Sequence, residues 1–84
     1  MFDKETMTIV EIVKAAPDSK SDDDMTMKSY ADLAAEAAKR GVSPYTLEVG
    51  LNHLSNQGLA AVRHSRNGAI LGVMPTKMFR QLFG

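Results

Sequence analysis

Two histidines, His53 and His64, and a run of three aspartates, Asp22, Asp23 and Asp24, are the first residues in this sequence whose types could do chemistry. A metal site would need both imidazoles to converge with carboxylates, because zinc takes three protein ligands at least. The spacing gives no such convergence. His53 reads as an exposed helix residue and His64 as a residue of a hairpin. The aspartate run lacks the alternating ligands, the turn glycine and the closing glutamate of a calcium loop, so it reads as solvated polar loop. No Ser-His-Asp order, phosphate-cradling glycine loop or pair of carboxylates on one face can be picked out. With no cysteine there is also no thiolate nucleophile and no disulfide framework. The expectation is a protein that is not an enzyme and that uses no metal or cofactor.

What remains is recognition, and one stretch carries it. Ser43 to Gly58 reads as a helix: the Ser43 hydroxyl can cap the first free amides, Pro44 suits the first helical position, and Gly58 closes the run. Leu47, Leu51 and Leu54 form an apolar face, leaving Tyr45, Glu48, Val49, Asn52 and Gln57 outward as a working surface. Downstream, Leu59–His64 and Ala69–Met74 read as two strands around Ser65-Arg66-Asn67-Gly68, since Asn-Gly is a strong hairpin signal. A two-residue turn at Asn67 and Gly68 sets Val62 opposite Val73, Arg63 opposite Gly72 and His64 opposite Leu71, with Val62, Leu71 and Val73 facing the core. A three-residue turn with Gly68 at a bulge slips this pairing by one.

The elements that must position these residues follow the chain. Residues 3–16 read as a helix, with Ile9, Ile12, Val13 and Ala16 at buried-face spacing. Pro17 ends it, and residues 17–28 read as an acidic loop. Ser29 opens an alanine-rich helix over 29–40, with Asp32 completing a capping arrangement and Gly41 stopping it. The helix over 43–58 and the hairpin over 59–74 come next. Residues 76–83 then form a terminal helix, with Met78, Phe79, Leu82 and Phe83 at helical spacing. Eighty-four residues make a single domain with one small core. Asp3, Glu5 and Glu11 interrupt Met1–Val13, no secretory signal is present, and no segment is apolar enough to span a bilayer, so a cytoplasmic protein is expected.

Charge is balanced overall and unevenly distributed. Ten basic and ten acidic side chains give a formal net charge of zero. Residues 1–25 hold seven carboxylates against three lysines, whereas from Leu59 onward there are Arg63, Arg66, Lys77 and Arg80 and no acidic side chain. No Lys or Arg occurs between Gly41 and Val62.

This order of elements resembles the winged helix-turn-helix fold, an α+β architecture of about three helices with a C-terminal hairpin wing and a short terminal helix. It is most similar to small bacterial or phage regulators of the MarR-like type, through Leu33, Ala34, Gly41-Val42-Ser43, Thr46, Leu47, Leu51, Leu54 and Gly58-Leu59. The resemblance implies a transcriptional regulator binding double-stranded DNA as a dimer. Ser43, Tyr45, Thr46, Val49 and Asn52 would contact the major groove, and Arg63, Arg66 and Asn67 would set the wing against the backbone. Met78, Phe79, Leu82 and Phe83 would pack across a two-fold axis. The alternative, from the absence of cations on the 43–58 helix, is a protein–protein adaptor or a phage-type inhibitor of host transcription machinery.

Overall fold

The computed structural model describes residues 3–20 and 26–84, so the Asp22–Asp24 run lies outside the described residues. The order along the chain is α1 (Lys4–Ala15), β1 (Asp18–Lys20), β2 (Thr26–Ser29), α2 (Tyr30–Lys39), α3 (Pro44–Asn56), β3 (Ala60–His64), β4 (Ile70–Pro75) and α4 (Lys77–Phe83). The strands form one antiparallel sheet in the order β1-β2-β4-β3.

That sheet corrects the winged helix-turn-helix expectation. The resemblance placed strand structure only in a C-terminal hairpin, and Pro17 with the polar residues after it read as a loop over 17–28. Instead β1 and β2 pair with each other, and β2 adds to β4 through Lys28 opposite Val73 and Ser29 opposite Gly72. Strands are thus interleaved among helices, and the hairpin is half of a four-stranded sheet. Composition concealed this, because Asp18-Ser19-Lys20 and Thr26-Met27-Lys28-Ser29 are short and polar, without the apolar alternation that marks a strand. Gly72 is what lets β2 approach, since a Cβ there would lie 2.5 Å from the Lys28 carbonyl oxygen. Lys28 anchors the junction: its Nζ donates to the Ala16 carbonyl at 2.7 Å and lies 3.0 Å from the Asp18 carboxylate.

Each helix starts on a capping side chain. Asp3 accepts from the Thr6 amide, Ser29 from Asp32, Ser43 from Thr46 and Thr76 from Phe79. α2 and α3 end alike. Val42 N donates to Ala37 O and Gly41 N to Ala38 O, and likewise Leu59 N donates to Leu54 O and Gly58 N to Ser55 O. This pairing satisfies the last carbonyls and turns the chain sharply.

The core gathers Ile9, Val10, Ile12 and Val13 of α1, Leu33 and Ala37 of α2, Leu47, Leu51 and Leu54 of α3, and Leu59, Ala60 and Val73 beside them. Phe79 of α4 closes it at 5% exposure. α1 and α3 cross tightly, because Gly50 offers no side chain: a Cβ there would sit 2.4 Å from Ile9 Cγ1 and 2.7 Å from Cδ1.

The hairpin keeps part of its expected pairing and changes the rest. Val62 is opposite Val73 and Arg63 opposite Gly72, but His64 pairs with Ile70 rather than Leu71. The turn is the three-residue form, with Ser65 N donating to Ala69 O at 2.7 Å, Gly68 N to Ser65 O at 3.0 Å, and Gly68 at φ +88°. The slip this introduces is undone by an irregularity beside Arg63 and His64 that leaves Leu71 as the extra residue. Leu71 is therefore 45% exposed instead of facing the core.

Candidate functional site

α3 presents most of the residues expected to work, and Ser43 begins it. The Ser43 hydroxyl accepts from Thr46 N at 3.2 Å and donates to Thr46 Oγ1 at 3.0 Å, so these two side chains hold each other. With Leu47, Leu51 and Leu54 directed inward, Tyr45 is left 77% and Val49 51% exposed, and Asn52 is also at the surface.

The crossing of α1 over α3 turns this surface into a groove. Its volume is about 350 Å³, and Tyr45, Thr46, Val49 and His53 line it from α3. From the start of α1 come Asp3 and Glu5, with Ile9 and Gly50 at the crossing itself. Of the expected contact residues of this helix, Tyr45, Thr46 and Val49 are thus brought together with two carboxylates and one imidazole, and with no Lys or Arg, while Ser43 and Asn52 lie outside the groove.

Asp3 is held in its charged form. Hydrogen bonds from the Thr6 side chain and backbone keep its carboxyl below the usual 3.8, with His53 adding a smaller pull in the same direction. The Thr6 amide bond is short, at 2.7 Å. His53 Nε2 is also 3.1 Å from the Gln57 side-chain nitrogen. Glu48, by contrast, acts toward the start of α2: burial first and the Glu48 charge second raise the Tyr30 phenol above its ordinary value, so it stays protonated.

The remaining expected residues lie elsewhere. Arg66 and Asn67 are exposed at the hairpin tip, while Arg63 is partly covered on β3. None of the three lines the α1–α3 groove. Of the four residues expected at a dimer interface, Phe79 is a core residue, and Phe83 packs edge-on against it with ring centroids 5.1 Å apart. Only Met78, at 48%, and Leu82, at 55%, remain exposed. Among the described residues no three His, Asp or Glu side chains come together as metal ligands, and no helix is long and apolar enough to cross a membrane.

Sequence reasoning missed Asp3, Glu5, Ile9 and Gly50. A signal for the last was present, since a glycine inside a helix weakens it and commonly marks close packing. Asp3 with Thr6 three residues later was likewise a legible cap. That these residues face α3 follows only from the crossing. No family model, curated protein or solved structure matches this chain.

Proposed function

We propose that the chain is a small binding protein, not an enzyme, whose α1–α3 groove takes a cation-bearing segment of a protein partner. The single observation that carries this is the lining: Tyr45 and Val49 supply apolar contact beside the carboxylates of Asp3 and Glu5, with the His53 imidazole but no Lys or Arg among them. An apolar floor with charge at one end suits a segment that buries an aliphatic side chain and sets a lysine or arginine against the acids. A DNA phosphate in the same place would meet two negative charges. The cytoplasm is the setting of this reading, in keeping with a chain free of cysteine.

A second reading, double-stranded DNA, draws on a different part of the molecule. Arg66 and Asn67 stand exposed at the hairpin tip, and no acidic side chain occurs from Leu59 to Gly84. One experiment separates the two. The protein is used as bait in extract of its source cells, with and without nuclease, beside Val49→Asp and the pair Arg63→Ala, Arg66→Ala. On the protein reading, a nuclease-resistant partner is retained, lost with Val49→Asp and unaffected by the arginine changes. Nucleic acid retained instead, with a salt slope that flattens by about one unit per lost phosphate contact in the arginine variant, decides for DNA.

A further inference from the structure

We infer that Asn67 is a site of self-modification, converted through a cyclic imide to aspartate and isoaspartate, with the Ser65 hydroxyl activating its carboxamide. Asn67 is exposed at the tip of the β3–β4 hairpin and is followed by Gly68, whose missing side chain leaves the attacking backbone nitrogen uncrowded. The Ser65 hydroxyl has its direction set on both sides. It accepts the Ala69 amide hydrogen at 3.2 Å, and its own proton is donated to Asn67 Oδ1 in a short contact. Oδ1 is where negative charge gathers when the carboxamide is attacked, so a donor already aimed at it stabilises that charge as it develops.

The chemistry balances with water alone. The Gly68 nitrogen gives its proton to water and bonds to Asn67 Cγ, the Cγ–Nδ2 bond breaks, and Nδ2 leaves as ammonia after taking up a proton. Water then opens the imide at either carbonyl, leaving a carboxylate on a normal or a rearranged backbone. One contact opposes the attack, because the Gly68 N–H donates to Ser65 O at 3.0 Å and must let go. That bond sits in an exposed turn, where water replaces it at little net cost. Asn52 and Asn56 are built-in controls: both lie in α3 with their backbones held in the helix, followed by His53 and Gln57 rather than by glycine. The product places a carboxylate beside Arg66, in a segment that otherwise has none.

The test is incubation of the folded protein in neutral buffer, followed by peptide mapping for the mass gained when NH₂ is replaced by OH and by an isoaspartate-specific fragmentation assay. The expected result is conversion at Asn67 with Asn52 and Asn56 retained. Ser65→Ala slows it by about two- to tenfold, the rate equivalent of one net hydrogen bond, and Ser65→Thr restores it. Retention of the Asn67 amide over a period in which the free pentapeptide of residues 65–69 converts overturns the inference. So does a Ser65→Ala protein that converts as fast as the parent.

Discussion

Gly50→Ala sets two effects of opposite sign against each other, and the distances at the α1–α3 crossing decide between them. An alanine inside a helix is worth up to about 1 kcal/mol more than glycine, so propensity alone predicts stabilisation. Against this, the new Cβ would lie 2.4 Å from Ile9 Cγ1, 2.7 Å from Cδ1 and 3.2 Å from Cγ2. Three atoms of one branched side chain cannot all swing away, because Ile9 is stiff at χ1 in a helix and is itself buried. Either the rotamer is forced or the helices part, at the upper end of the roughly 1–3 kcal/mol that overpacking costs. The net expectation is a loss of about 1–2 kcal/mol, a fall in Tm of roughly 5–15 °C for a domain of this size. Urea and thermal unfolding of the parent, Gly50→Ala, Ile9→Ala and the double variant measure it. In the double variant the clash is gone, so the two single losses should fail to add by at least about 1 kcal/mol. A Gly50→Ala protein more stable than the parent would show that the helices are not pressed together at this point, and that the groove they bound is not fixed by their crossing.

Three further outcomes follow from contacts described above. Phe79→Ala should cost about 3–5 kcal/mol in chemical denaturation, as truncation of a core aromatic does, whereas Met78→Ala and Leu82→Ala should each stay within about 0.5 kcal/mol. Lys28→Ala removes the donor to the Ala16 carbonyl, with a side chain only 14% exposed, and should lower stability by about 1–3 kcal/mol; its ion pair adds little because Asp18 is 65% exposed. Asp3 has a depressed carboxyl, so its contribution is present above 3.8 and is lost as pH falls through the lower folded value. Asp3→Asn keeps a capping side chain and should flatten that part of the pH–stability curve, as read from urea midpoints.

The helices were legible where capping chemistry marks them. Ser29, Ser43, Gly41 and Gly58 stand at the ends of α2 and α3 because local hydrogen bonds put them there, and local bonds can be read from neighbours in sequence. The sheet was not legible in the same way. β2 finds its partner in β4 more than forty residues later, through Lys28 and Val73, and no periodicity within Thr26–Ser29 announces it. Nor was the groove. Its α3 wall was read from the outward-facing Tyr45 and Val49, but Asp3 and Glu5 reach it only through the way α1 lies across Gly50. That crossing adds acids from the start of the chain to a helix surface already without Lys or Arg, beside residues that the resemblance set against DNA.

The cancelling displacements in the hairpin have a consequence for how freely its end can vary. The root, where Val62 meets Val73, runs in the frame a shorter loop would set, and the outermost pairs run one step out of phase with it. Leu71 works as a vernier between them, absorbing the mismatch before it reaches the interior. Deleting Leu71 alone would therefore join the His64–Ile70 pair directly to Arg63–Gly72 and leave Val62 opposite Val73, one unbroken register from the loop to the interior, whereas a deletion at Gly72 would move Val73 out of its place in the core.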